Sequence, residues 1–389
     1  MALRLITAGE SHGPGLTCLV EGLPAGLELD REAIDRDMAR RQLGHGRGGR
    51  MKIETDRAHV TSGVRHGRTL GGPIALQVAN KDYSNWEERM SPWPVEALVP
   101  EVHLPRPGHA DLVGTQKYGL TDVRDVLERA SARETAARVA GGAVAKAFLR
   151  ALGVEVVSHV TRIGSVAVPA RNAALVLADF DGVDEDPVRC LEPEASRKMV
   201  KHINAQRKAN ESIGGVYEVI AFGLVPGLGS HVSWEERLDG RLAMALVSIQ
   251  AMKGVEFGDG FVLAQTPGSG AHDEIFMKDG QYDRPTNHAG GIEGGMSTGD
   301  PLVARVAMKP LPTLTKPLRS VDIETREPAQ ALRERTDSCT VPAAGVVGEA
   351  MVALVLADAY RAKFGGDHID DVRAAVAAYR GRIGWPPAA

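Results

Sequence analysis

The chain has 389 residues, 43% of them hydrophobic, enough for one large domain or two ordinary ones around an extensive buried core. Its 46 Lys and Arg against 50 Asp and Glu leave a formal net charge of -4, so there is no overall field favouring nucleic acid or an anionic membrane. Cys18, Cys190 and Cys339 are odd in number and widely spaced, which predicts free thiols rather than a disulfide framework.

The first residues, Met1 to Thr7, lack a cationic segment followed by a long apolar run. No later stretch approaches the roughly 18 apolar residues of a spanning helix, so a cytoplasmic protein without a membrane partner is expected. Leu16 to Val20 reads as a strand, Arg31 to Arg41 as a charged helix and Ile74 to Val78 as a second strand. Residues 82–105, with Trp86, Trp93 and several prolines, read as an irregular loop, as does the acidic stretch 179–194. Glu128 to Leu152 and Pro342 to Phe364 are Ala-rich and apolar nearly all round, which predicts long helices packed deep inside. Tyr217 to Leu224 and Leu302 to Met308 complete the strand-like runs.

Strands do not alternate regularly with helices. The expected class is therefore α+β, with antiparallel sheets packed on central helices, in a single domain spanning residues 1–389. Gly22, Leu23, Gly26 and Leu27 recur as Gly223, Leu224, Gly227 and Leu228, and Ala136-Ala137-x-Val139 is echoed by Ala343-Ala344-x-Val346. The spacing predicts two related halves, an internal pseudo-repeat.

Two motif matches fail on context. Gly9-Glu10-Ser11-His12-Gly13 fits G-x-S-x-G, but too little chain precedes Ser11 to build the sheet that a nucleophile elbow needs, and a strand rather than a helix follows. Gly44 to Gly49 fits G-x-G-x-x-G, but it follows a helix and precedes the strand-like Met51 to Thr55, the reverse of a dinucleotide fingerprint.

Arg40, Arg41, Arg47, Arg50 and Lys52 place five cations around the glycines of this segment. Forked guanidinium groups and exposable amides suit phosphate and carboxylate. A solvated turn is the plainer alternative. Nucleic acid fits less well, since the charge is confined to one loop and no aromatic residues interleave. His12 and His109, the latter in Arg106-Pro107-Gly108-His109-Ala110-Asp111, sit in glycine-positioned turns beside charged groups, a setting for proton transfer near neutrality or for simple capping. No HExxH, paired CxxC or carboxylate cluster accompanies them, so no metal is expected.

Six blocks in order, namely Gly9 to Gly13, Arg41 to Arg50, Arg106 to Asp111, Arg129-Ala130-Ser131-Ala132-Arg133-Glu134-Thr135, Asn287 to Met296 and Arg335-Thr336-Asp337-Ser338-Cys339, resemble the chorismate synthase family. The resemblance runs from the first residues through the Pro342 to Phe364 helix. It implies a β-α-β sandwich, a homotetramer, and a 1,4-anti elimination of phosphate from 5-enolpyruvylshikimate 3-phosphate. That reaction requires reduced FMN without net redox change, with NADPH as an external or intrinsic reductant.

Carried over by position, His12 would protonate or stabilise the departing phosphate, His109 would meet the flavin's pyrimidine edge, and Asp337 would act as base. Arg41, Arg47, Arg50, Arg106 and Arg133 would hold the substrate, or NADP. Arg129, Ala130, Ser131, Gln250, Ala251, Gly294, Lys309, Pro310, Leu311, Pro312, Thr313 and Arg335 would hold the flavin. Two departures stand out: His45 replaces a frequent Tyr, and Thr336 precedes Asp337 where His or Ser is usual.

Overall fold

The computed structural model describes residues 3–48, 55–169, 174–333 and 337–386. Two antiparallel sheets carry the architecture. The first has the order Arg4–Ala8, Gly15–Glu21, Ile74–Ala79, His59–Ser62. Along Gly15–Glu21, Leu16, Cys18 and Val20 are buried in strict alternation, so a single face of the strand meets the core. The second sheet has the order Met252–Phe257, Leu302–Met308, Gly215–Phe222, Glu155–Ile163, Val166–Ala167.

Two helices, Thr135–Arg150 and Val341–Phe364, fill the space between the sheets. Their small residues set the spacing. A Cβ at Gly141 would lie 3.3 Å from Val20 Cγ2 of the first sheet, whereas one at Gly142 would lie 2.6 Å from Ala350 Cα of the second helix. On that second helix, a Cβ at Gly348 would lie 2.6 Å from Tyr217 Cε2 of the second sheet. The layers are therefore sheet, helix, helix, sheet, packed too closely for larger side chains.

Leu16 to Val20, Ile74 to Val78 and Tyr217 to Leu224 appear as strands with boundaries moved by one or two residues, and Leu302–Met308 is unchanged. The expected helix over Glu128 to Leu152 does not run unbroken. It divides into Arg124–Ala130, a 3-10 turn Ala132–Glu134, and Thr135–Arg150. The cause is Ser131, whose backbone is extended (φ -62°, ψ 143°) and whose side chain accepts from the Arg133 N–H, capping a new start. The Val341–Phe364 helix also corrects an expectation: by length and composition it is apolar enough to cross a membrane. It is a core helix instead, with 18 of its 24 residues buried.

Glu349, at the middle of that helix, is fully buried. Its carboxylate receives a bidentate pair from Arg40 at 2.8 Å, Lys146 at 2.5 Å, Arg189 at 3.1 Å and the Ser158 hydroxyl at 2.6 Å. Arg40 is thus no part of an anion-binding loop. It lies with Arg41 on the Arg31–Gln42 helix, and about 100° of helical rotation between neighbours sends the two side chains to different places.

Gly22, Gly26, Gly223 and Gly227 all have positive φ (91°, 78°, 80° and 80°), in turns that follow the Gly15–Glu21 and Gly215–Phe222 strands. The three cysteines are free and buried, and burial pushes the Cys339 thiol up to about 11.

Candidate active site

Gly9 to Gly13 is the turn of the hairpin joining Arg4–Ala8 to Gly15–Glu21, which disposes of the nucleophile-elbow reading. Gly9 has φ +105°, and a Cβ there would run into the carbonyl of Gly15, so the turn requires glycine. The turn presents Ser11 and His12 to a cavity of about 740 Å³. A volume of that order suits a cofactor and a small substrate.

The same cavity is bordered by His109 and Asp337, by Arg41, Arg47, Arg106 and Arg133, and by Ala130, Ser131, Gln250, Ala251, Lys309, Leu311, Pro312 and Thr313. Residues from seven separate stretches of sequence therefore meet at one place. Arg50 and Arg335 lie outside the described residues, as do Met51 to Glu54 of the expected strand. Arg129, Pro310 and Gly294 do not border the cavity. Arg129 turns its guanidinium to the carbonyls of Thr7 and Gly9, and Gly294 is exposed in the hairpin between Ile292–Glu293 and Met296–Ser297. His45 bonds to the Asn204 side chain at 2.9 Å rather than facing the cavity.

Each histidine leans on a carboxylate. His12 Nδ1 lies 2.9 Å from Glu128 Oε2, and its ring stacks on Trp86 with centroids 4.0 Å apart. His109 Nδ1 lies 2.5 Å from Asp111 Oδ1, and Asp111 also accepts from the Arg106 Nε at 2.8 Å. Burial pushes the Glu128 carboxyl up, but hydrogen bonds and charge from His12, with the charge of Arg124, outweigh it and hold the group below its usual range. Asp111 behaves alike: burial acts upward, and the bonds from His109 and Arg106 bring it well below the carboxylate norm.

A carboxyl depressed in the folded state stabilises fully above its unfolded value, near 4, and loses that contribution as pH falls through the folded value. Asp111→Asn should therefore flatten the acid side of stability below about pH 4, read from urea midpoints across pH. An acid limb identical to that of the unaltered chain would show that Asp111 is not part of it.

The arginines are set by buried anions. Asp56, whose side chain is inaccessible to solvent, accepts from Arg133 Nη1 at 2.6 Å and from Arg41 Nη1 at 3.1 Å, fixing two guanidinium groups at the cavity wall. Arg133 also donates to Asn80 Oδ1 at 2.9 Å. Asp337 is bracketed by Arg47 Nη1 at 3.3 Å and the Gly48 N–H at 2.5 Å. Ile249, Met252, Met308, Leu311 and Val347 supply an apolar stretch of wall. A pocket lined by both cations and hydrocarbon can take a flat ring together with phosphate and carboxylate groups.

Glu128, Asp56, Trp86, Asn80 and Arg124 escape a reading of the sequence. Apart from the Arg124 to Glu128 pair, one helical turn apart, their contacts cross long stretches of sequence, and no spacing rule connects Glu128 to His12 or Asp56 to Arg133. Only the rule that buried charges need partners points to them, and it needs the fold first.

The chorismate synthase family model matches residues 3–360. Curated relatives named chorismate synthase are 55% identical in Rubrobacter xylanophilus, covering 99% of this chain and 98% of that protein, and 57% identical in Thermobifida fusca, covering 94% and 95%. A solved structure described as a crystal structure of chorismate synthase shares 41% identity at a TM-score of 0.79, covering 98% of both chains. The chain belongs to the chorismate synthase family. It is accordingly an enzyme, a lyase of the shikimate pathway whose product is chorismate. The family's architecture agrees with the mixed helices and sheets described above.

Proposed function

We propose that this cavity binds 5-enolpyruvylshikimate 3-phosphate beside reduced FMN and eliminates phosphate in a 1,4-anti sense. The observation that carries the reading is the convergence of His12, His109, Asp337 and four arginines on one cavity that also has an apolar wall.

The residues fit a flavin. Gln250 borders the cavity and its Oε1 is buried without a hydrogen-bond partner among the described residues, an acceptor suited to an N–H of a ligand ring edge. Lys309, whose Nζ bonds the Gly108 carbonyl at 3.0 Å, brings a cation for the ribityl phosphate. Ser131 and Thr313 add hydroxyls at the same wall. Arg129, Pro310, Gly294 and Arg335 stay in the flavin set by resemblance alone. When bound, reduced FMN supplies transient electron density that eases departure of phosphate.

In the elimination the C3–O bond breaks with its electron pair leaving on phosphate, and the C6 hydrogen is removed to form the new double bond. Arg41, Arg47, Arg106 and Arg133 hold the anionic groups and stabilise charge growing on the leaving oxygen, with Arg50 in the same role. His12 delivers a proton to that oxygen. Asp337 is the base, its carboxylate held by Arg47 and the Gly48 amide. His109, oriented by Asp111, supports the reduced cofactor. The same arginines are also the candidates for NADP where NADPH reduces the flavin, within this fold or through an external reductase.

We also read the chain as one domain of two related halves, cytoplasmic and homotetrameric, with no membrane or nucleic-acid partner. Exposed Val232, Trp234, Phe261 and Tyr282 favour burial against further copies. The test is anaerobic turnover: phosphate and chorismate form from the substrate with reduced FMN, and neither forms with oxidised FMN. Equal rates with both flavin states contradict the reading.

A further inference from the structure

We propose that Glu128 is a positioning residue for this reaction: its buried carboxylate fixes the orientation and tautomer of the His12 ring. The inference rests on the reading of His12 as proton donor, and it adds a residue that the resemblance does not supply.

Glu128 is 2% exposed, on the Arg124–Ala130 helix beneath the Gly9 to Gly13 turn. It grips that turn at three points. Its main-chain carbonyl accepts from the Ser11 N–H at 3.1 Å, its Oε2 from the His12 N–H at 2.9 Å, and both carboxylate oxygens lie within 3.0 Å of His12 Nδ1. Arg124, one helical turn earlier, donates to Glu128 Oε1 at 2.8 Å and lies over Trp86, 5.0 Å from the ring centroid. Trp86 in turn stacks on His12 at an interplanar angle of 26°.

The stack limits tilting of the imidazole, and the carboxylate limits its rotation. An ionised carboxylate only accepts, so Nδ1 must carry a proton, and the proton the ring gives or takes at the cavity sits on Nε2. Asp111 stands in the same relation to His109, so the site uses one device twice.

Glu128→Gln keeps the size but loses the charge, and its amide can donate as well as accept, so both tautomers of His12 become compatible. The expected result is a fall in kcat of about 10²-fold with KM changed by less than about twofold. In a His12→Ala background the same substitution should cost nothing further, because Glu128 acts through His12. A kcat close to that of the unaltered enzyme, or a full additional loss in the His12→Ala background, overturns the proposal.

Nitrogen-15 spectra of histidine-labelled protein give a readout that does not need turnover. The unaltered protein should show His12 with Nδ1 protonated, and Glu128→Gln should show mixed tautomers. A neutral ring protonated at Nε2 in the unaltered protein overturns the proposal. If His12→Ala alone leaves kcat intact, the proton-donor reading of His12 fails, and the spectra still decide whether Glu128 sets the ring.

Discussion

His109→Ala should lower turnover by about 10²-fold or more while reduced FMN still binds. The expectation follows from what surrounds the ring. His109 borders the cavity, its Nδ1 held 2.5 Å from Asp111, which is itself fully buried and tied to Arg106 through both main chain and side chain. Removing the imidazole leaves the Arg106 and Asp111 pair in place, so the wall survives and only the titratable group at the cofactor end is lost. In the proposed site, flavin contacts are assigned to other residues that border the cavity, among them Gln250, Lys309 and Thr313. Turnover is read under anaerobic conditions and flavin binding by equilibrium titration. Near-normal turnover, or a loss of flavin binding large enough to explain the whole effect, would remove His109 from its assigned role.

Glu349→Ala should destabilise the fold by about 3 to 5 kcal/mol, the cost of breaking a buried ion pair by deleting one partner. Three cations, Arg40, Lys146 and Arg189, converge on Glu349, with Asp37 and Asp184 at the edges of the cluster. The six charges balance in the native chain. Without Glu349, the three cations, two of them fully buried, share two aspartates, one of which is partly open to solvent. The Glu349 carboxyl has burial acting upward, outweighed by the charges of Arg40, Lys146 and Arg189, so it lies well below the normal range. Its contribution is present above its unfolded value, near 4, and fades only as pH falls below that. Urea unfolding at neutral pH measures the effect; a change under about 1 kcal/mol would mean that the cluster relaxes or admits water.

The sequence made the framework legible where periodicity is strong. The two central helices could be read from continuous small apolar residues, and Leu302–Met308 from its short strand-like run. The break at Ser131 could not, because the residues on either side of it favour helix and only the cap geometry separates them. Of the proposed site, the residues with self-evident chemistry, His12, His109 and the arginines, stood out from their glycine-rich settings. Which cation faces the cavity and which enters the core did not: Arg40 and Arg41 are neighbours in sequence, yet one meets Glu349 and the other Asp56. The anions that hold the site were silent, since each acts across a distance in sequence that only the fold closes. Trp86 lay within what reads as an irregular loop, and its stacking on His12 depends on the position of that loop in space.

The proposed elimination is tested most sharply by a single anaerobic turnover of 5-enolpyruvylshikimate 3-phosphate with stoichiometric reduced FMN, following phosphate, chorismate and flavin absorbance together. Phosphate and chorismate should form in equal amounts, with the flavin recovered in its reduced form. Phosphate without chorismate, or product formed with matching accumulation of oxidised flavin, would contradict it.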